Sequence, residues 1–399
     1  MHVLFVHPAY PAQFGHVARR LTEDRGYTCT FVSEESSGNE GPIHRIPYRP
    51  TGGDSSPRRY LTQDFDEEVS HAEGVFEALK PLRDSLRPDL IVGHAGWGGA
   101  LFLPELFPGT PVIDYVEYYS HPHGSAIDFR PEWPASEATV LRHRLQNAAV
   151  LLNLEQCTAA YTPTRFQHRL LPDRYRSKVR VIYDGIDTEF WRRSMDLAGP
   201  EGGTRFVTYV SRGLEAMRGF DVFMQVARVV GNTLPDVVFL VVGSDDVIYG
   251  HELELVEEAT FKEHVLASGG FDLERIRFLG WLPPERLVQV FDMSDLHIYL
   301  TVPFVVSWSL LNAMACGCTI LASDTEPVRE IVRDGTDGLL RGFSDVEALA
   351  ETAIAVLQDP LAYRDLGRAA ERKIRRRYSL DVTVPKLASL FEEVASGRT

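Results

Sequence analysis

Short apolar runs, each bounded by Gly, Pro or Asp, recur along the chain, and most are followed by a longer stretch of helical periodicity. In the first half the runs are 3–6, 27–32, 90–92, 111–115 and 159–162; in the second they are 206–210, 237–242, 277–280, 296–300 and 319–323. They are apolar throughout rather than alternating, so each predicts a strand covered on both faces, as in a parallel sheet flanked by helices. A helix is predicted from Phe220, where Val222, Phe223, Val226, Ala227 and Val230 fall on one stripe. The stretch 379–395 is amphipathic again, with Val382, Val384, Leu387, Leu390, Phe391 and Val394 as its apolar face. A polar, Pro- and Gly-bearing segment, 192–204, interrupts the alternation and separates two successive βα series. The reading is an α/β protein of two doubly wound, Rossmann-like domains, 1–195 and 205–377, with a terminal helix over 378–396. Ligands of such sheets sit beyond the carboxyl ends of the strands, so two facing domains are expected to share a cleft.

Composition narrows the function. A length of 399 residues suffices for two cores of ordinary size, and 44% hydrophobic with 24% charged residues excludes a disordered or fibrous chain. Forty-one basic against 56 acidic residues leave a net charge of −15, which argues against a nucleic-acid partner, since that needs a broad basic surface. A small basic pocket for a phosphorylated molecule stays open. Cys29, Cys157, Cys316 and Cys318 are scattered, with neither a disulfide framework nor zinc-site spacing, and are expected to be buried thiols of a reducing cytoplasm. The apolar run at the amino terminus is too short for a signal peptide, and no stretch approaches the ~18 apolar residues of a membrane span. A cytoplasmic location is therefore expected. The basic run 372–377 is read as a solvated helix face, with contact to an anionic membrane surface as the alternative.

Two segments carry candidate chemistry. In 303–330 (PFVVSWSLLNAMACGCTILASDTEPVRE) a loop follows a predicted strand and leads into a helix starting near Ser307 and capped by Gly317. Free backbone N–H groups and the helix dipole make such a junction an anion site, although an ordinary βα turn has the same form. In 211–221 (SRGLEAMRGFD), Arg212 and Arg218 flank a loop at the end of the first strand of the second domain. A guanidinium is permanently charged and forks onto phosphate oxygens, so two of them beside Ser307 suit a diphosphate. Asp64-Phe65-Asp66 has the spacing of a metal-binding pair but lies in an acidic helical stretch and is read as solvated surface.

Taken together, these blocks resemble the retaining GT-B glycosyltransferases of family 4. The likeness rests on Val-Ser-Arg-Gly…Arg-Gly-Phe-Asp at 210–221, Val-Ile-Tyr-Asp-Gly-Ile-Asp at 181–187, and Leu-Leu-Asn-Ala-Met-Ala-Cys-Gly…Ala-Ser-Asp…Glu-Ile-Val at 310–332. Gly-His-Ala-Gly-Trp-Gly at 93–98 and Pro-Phe-Val-Val-Ser-Trp-Ser-Leu-Leu at 303–311 are similar to bacterial polysaccharide and natural-product transferases. The resemblance implies the GT-B fold, with the terminal helix crossing back to the first domain. It also implies a UDP- or GDP-linked sugar donor, a hydroxyl acceptor, and neither metal nor bound cofactor. Arg212 and Arg218 then neutralise the departing diphosphate. The family's two glutamates, eight positions apart, are absent: Phe304 and Asn312 stand in their places. Asn312 can still bond a ribose hydroxyl, and the sugar falls to the backbone N–H groups of Val305, Val306 and Ser307. In the first domain the resemblance gives Gly15 a donor-phosphate contact and Gln13 an acceptor-side one. Glu117 takes the place of an active-site histidine, with His121 and His123 as rivals, and His94 is assigned to the acceptor side. A nucleotide-sugar epimerase on the same fold, or a catalytically silent nucleotide-sugar-binding relative, are the alternatives.

Overall fold

The computed structural model describes residues 1–35, 43–52, 59–193 and 203–398. Most of the interdomain segment expected at 192–204 lies outside the described residues, as does the middle of the Pro- and Gly-rich 48–59 loop. The chain forms two compact units. The first comprises Met1–Pro122, Ser136–Gly185 and Leu380–Thr399; the second comprises His123–Ala135 and Ile186–Ser379.

The first unit is built on a seven-stranded parallel sheet ordered β3-β2-β1-β4-β5-β6-β7. Its strands are β1 (His2–Val6), β2 (Thr28–Glu34), β3 (His44–Tyr48), β4 (Leu90–Ala95), β5 (Val112–Val116), β6 (Ala159–Thr162) and β7 (Val179–Val181). The unbroken apolar runs have a direct cause. In β1, Val3 and Phe5 enter one core cluster and Leu4 and Val6 the other; β5 divides Ile113 and Tyr115 from Val112 and Val116 in the same way. Helix α1 (Gly15–Arg25) and the C-terminal helix (Leu380–Ala395) supply one face, and α2 (Gln63–Leu79) the other. The C-terminal helix inserts Leu380, Val384, Leu387, Leu390, Phe391 and Val394, and Phe391 lies 6.2 Å from Phe5, ring to ring. Tyr27 donates to Glu392 at 2.5 Å and fixes the helix at its polar edge.

A six-stranded parallel sheet carries the second unit, in the order β10-β9-β8-β11-β12-β13. The strands are β8 (Arg205–Gly213), β9 (Val237–Ser244), β10 (Ile276–Phe278), β11 (Leu296–Tyr299), β12 (Ile320–Ser323) and β13 (Leu339–Arg341). Helix α3 (Phe220–Thr233) buries the predicted stripe, Val222, Phe223, Val226, Ala227 and Val230, in the core. Helix α4 (Trp308–Ala315) is buried along most of its length and meets α5 (Pro360–Arg377). A methyl group on Gly367 would stand 2.3 Å from the Gly317 carbonyl oxygen, so only glycine permits this approach. The segment 123–135 also belongs to this unit, although its neighbours in sequence on both sides belong to the first. Its Trp133 packs edge-on against Phe261 at 5.1 Å. At the end of α5, Lys373 is tied to the Ile331 carbonyl at 2.8 Å and to Asp337, while Arg375 pairs with Glu189 at 3.3 Å. All four cysteines are buried and unpaired. Among the described residues no helix is long and apolar enough to cross a membrane.

Replacing Phe391 by Ala is expected to cost the first unit about 3–5 kcal/mol, the range for emptying a buried phenylalanine site. Denaturant unfolding followed by probes in each unit should show the first unit's transition moving to lower denaturant and the second's staying in place.

Candidate functional site

In the second unit, three loops at the carboxyl ends of β8, β9 and β11 converge on Arg218. The β8 strand ends in a bulge between Val210 and Gly213. A single 3₁₀ turn, Ala216–Arg218, then leads through Gly219, in the left-handed region at φ 64°, into α3. A Cβ there would sit 2.8 Å from that of Leu300, so the turn needs glycine on both counts. Arg218 is 5% exposed. Its Nη1 donates to Thr301 Oγ1 at 2.8 Å, to the Val305 carbonyl at 2.9 Å and, at 3.4 Å, to the Tyr299 hydroxyl. The rings of Tyr249 and Phe304 each lie 5.3 Å from its guanidinium carbon. No described residue accepts from Nε or Nη2. A buried cation therefore keeps donor capacity for something that is not protein.

The same tyrosine ties Arg218 to the helix that follows. Tyr299 Oη accepts from the Ser307 N–H at 2.8 Å, and Ser307 is the N-cap of α4, its hydroxyl accepting from the Ser309 N–H at 3.2 Å. The Ser307 N–H is thus already spent within the protein, and the amides left open in this loop are those of Val305 and Val306. Asn312, on the second turn of α4, is buried, and its Oδ1 has no hydrogen-bond partner among the described residues. Arg212 stands apart: it lies on β8 with its side chain exposed.

Two buried carboxylates frame the Arg218 turn. Glu215 Oε2 accepts from the N–H groups of Ile248, Tyr249 and Gly250, which fixes the β9 loop against the turn. Burial pushes its carboxyl up, and the neighbouring Arg218 charge opposes that shift. Glu252 Oε1 accepts from the Ala216 N–H at 2.6 Å, and burial raises its pKa to about 7.

The first unit gathers a second cluster at the ends of β1, β4 and β5. His94 Nδ1 donates to the Ala95 carbonyl at 2.8 Å, and its Nε2 stands 3.6 Å from Glu117 Oε2. His7 packs edge-on against His94 at 5.3 Å, and Trp97, 39% exposed, lies 6.0 Å from His7 and 6.1 Å from His94. Burial, reinforced by His94, lowers the His7 pKa to about 3, so this ring is neutral at physiological pH. On the neighbouring strand Asp114 is fully buried, and burial lifts its carboxyl to about 7. Gln13 is half-buried in the turn before α1, and Gly15, buried at the first position of α1, accommodates Pro11, which a Cβ would meet at 2.3 Å. His121 is engaged with the Leu170 carbonyl at 2.8 Å, whereas His123 is exposed and belongs to the second unit.

The structure thus joins Arg218, Phe304, Val305 and Ser307 in one place, with Asn312 on the same helix, and pairs His94 with Glu117. Tyr249, Tyr299 and Glu215 in the second unit, and His7 and Trp97 in the first, are additions the sequence reading did not single out. Of these, Trp97 falls in the 93–98 motif, Glu215 in the 211–221 segment, and His7 is the polar residue directly after the first apolar run. The two aspartates of Asp64-Phe65-Asp66 lie on α2, and Asp64 pairs with Arg142.

Comparison with known proteins gives the family and the fold. A model of the glycosyl transferase family 4 group matches residues 25–191, and one of the glycosyl transferases group 1 matches residues 195–373. Between them they take in most of the chain, which belongs to the family 4, group 1 glycosyltransferases. It is 26% identical over 219 residues to a phosphatidyl-myo-inositol mannosyltransferase of Mycobacterium leprae, a match covering 54% of each protein. It is 24% identical over 221 residues to an N-acetyl-alpha-D-glucosaminyl L-malate synthase of Bacillus anthracis, again 54% of each. The match spans about half the length of these relatives. In fold the chain is similar to sucrose-phosphate synthase from Thermosynechococcus elongatus, with a TM-score of 0.78, 16% identity and full coverage of both chains. It is also similar to Anabaena HepE, solved in complex with UDP-glucose, with a TM-score of 0.71, 16% identity and coverage of 98% and 100%. The fold is GT-B.

Asp114 gives a pH signature. Between the ordinary carboxylate value of 3.8 and about 7 the folded chain keeps a proton that the unfolded chain releases, so Asp114 lowers stability progressively as pH rises through that window. Asp114→Asn removes the titration. Its melting temperature minus that of the wild type is expected to climb by several degrees across the window and level off above it; a flat difference would show that this carboxyl titrates normally.

Proposed function

We propose that the chain is a retaining glycosyltransferase that moves a sugar from a nucleoside diphosphate, UDP- or GDP-linked, to a hydroxyl-bearing acceptor in polysaccharide, glycolipid or natural-product synthesis. The observation that carries this reading is the buried, pinned guanidinium of Arg218 with two donor nitrogens unspent. Charge that develops on the leaving diphosphate needs a fixed cation in a site that excludes water, because preorganised charge costs no reorganisation during the reaction. Arg218 meets that requirement from protein alone, so the mechanism proposed needs no metal ion. Arg212, exposed on the preceding strand, can swing onto the same phosphates. The open amides of Val305 and Val306 bond phosphate or sugar oxygens, and the orphaned Oδ1 of Asn312 accepts from a ribose hydroxyl.

In the first unit, Glu117 beside His94 supplies a carboxylate that accepts from sugar hydroxyls. The exposed face of Trp97 gives the acceptor a flat apolar surface, with Gln13 and His121 at its polar margin. His123 stands outside this cluster. The exposed arginines Arg372, Arg376 and Arg377 offer charge to anionic lipid headgroups at the inner membrane face.

Arg218→Met is expected to lower sugar transfer by about 10²–10³, the usual loss for one preorganised donor to a developing charge, and Arg212→Met by less. Calorimetry with UDP and GDP checks the binding side. If the Arg212→Met/Arg218→Met double variant binds nucleotide like the wild type, the diphosphate reading is wrong. Donor incubated without acceptor separates the other readings: an isomerised sugar marks an epimerase, and tight nucleotide binding with no turnover on any acceptor marks a silent relative.

A further inference from the structure

We propose that Arg130 is a positioning residue: by clamping the turn that carries Arg218, it sets where that guanidinium stands against the diphosphate. The inference rests on the diphosphate reading of Arg218. Arg130 comes from the 123–135 segment, far from the turn in sequence but within the same unit. It is 6% exposed, and each of its five N–H bonds has an acceptor. Nη1 donates to the Ala216 carbonyl at 2.9 Å and to Asp221 Oδ1 at 2.8 Å. Nη2 donates to Asp221 Oδ2 at 2.7 Å and to Glu132 Oε1 at 2.5 Å, and Nε to Glu132 Oε1 at 2.8 Å. Its guanidinium carbon lies 5.2 Å from the centre of the Phe343 ring.

These contacts bracket Arg218. Ala216 is two residues before it, and Asp221 lies three after it in the first turn of α3. Ala216 is held on both sides of its backbone, its N–H by Glu252 and its carbonyl by Arg130. Phe343, under the Arg130 guanidinium, also closes off Gly219, where an added Cβ would meet its Cζ at 3.1 Å. Arg130 thus ties the residue that opens the turn to the first turn of the helix that follows it. A displacement of about 1 Å at a reacting group costs on the order of 10²-fold in rate, so a clamp on this turn bears on how the Arg218 guanidinium meets the diphosphate.

A merely structural role is the rival, in which Arg130 fastens the 123–135 segment to the unit and nothing more. Trp133 separates the two, since it fastens the same segment through ring contacts with Phe261 and His264 and makes no hydrogen bond from its side chain to the turn. The experiment measures the affinity of UDP and GDP by calorimetry, and the melting temperature, for the wild type, Arg130→Met, Arg130→Lys, Trp133→Ala and Arg218→Met. Arg130→Met is expected to weaken nucleotide binding about ten-fold or more. Arg130→Lys keeps the charge but not the fork, and is expected to recover part of that loss. Trp133→Ala is expected to melt earlier with affinity within about two-fold of the wild type. Should Arg130→Met not fold, Asp221→Asn carries the test, with a smaller loss of affinity expected. Wild-type affinity in Arg130→Met, or equal losses in Arg130→Met and Trp133→Ala, would overturn the positioning role while Arg218→Met still loses binding. Wild-type affinity in Arg218→Met would instead remove the diphosphate reading beneath it.

Discussion

The second unit is organised around the cost of burying a charge that cannot be neutralised by losing a proton. An isolated buried ion costs several kcal/mol, and arginine stays protonated at any physiological pH. The chain meets that cost at Arg218 with three oxygen atoms from β11 and the loop that follows it and with two aromatic rings, which attract the cation while leaving its remaining N–H groups unspent. That requirement ties the β8, β9 and β11 loops together: Glu215 fixes the β9 loop to the turn, and Tyr299 fixes the turn to the cap of α4. Local order in this corner follows from electrostatics as much as from apolar packing.

The first unit solves a different problem with similar means. Its sheet ends place His94 against His7 and near Glu117, and Asp114 is buried on the neighbouring strand. Burial keeps His7 neutral, and its Nδ1 is engaged with the backbone of Ala9. The two clusters thus differ in charge: a neutral imidazole lies in the first, and a buried guanidinium is at the centre of the second.

How much of this was legible in the sequence depended on the range of the interaction. The central strands were plain, because a strand buried on both faces is apolar at every position, as β1 and β5 are. The edge strands β3 and β7 were not: His-Arg-Ile-Pro-Tyr and Val-Arg-Val mix exposed polar with buried apolar positions and are too short for a period to register. Arg218 and Ser307 stood out because a βα loop keeps its chemistry within a few residues. Arg212 looked equivalent to Arg218 in sequence, and only burial separates them. Arg130 and Glu252 gave no sign, since their partners at the turn lie 86 and 36 residues away for Ala216. The excursion of 123–135 into the second unit likewise leaves no trace in composition.

Phe304 and Asn312 are best understood from the charge balance at Arg218. A glutamate at 304 would add a negative charge near the guanidinium and compete with any anionic ligand for it. Phe304 instead contributes a ring face, which stabilises a cation without satisfying its hydrogen bonds. Asn312 contributes a neutral amide whose oxygen is buried and unmatched. What still offsets Arg218 is Glu215, and its Oε2 is already committed to three backbone N–H groups. The corner is left with more unspent positive charge than a pattern carrying both acids would have. That charge stands beside a wall, Tyr249 and Phe304, that is aromatic rather than acidic.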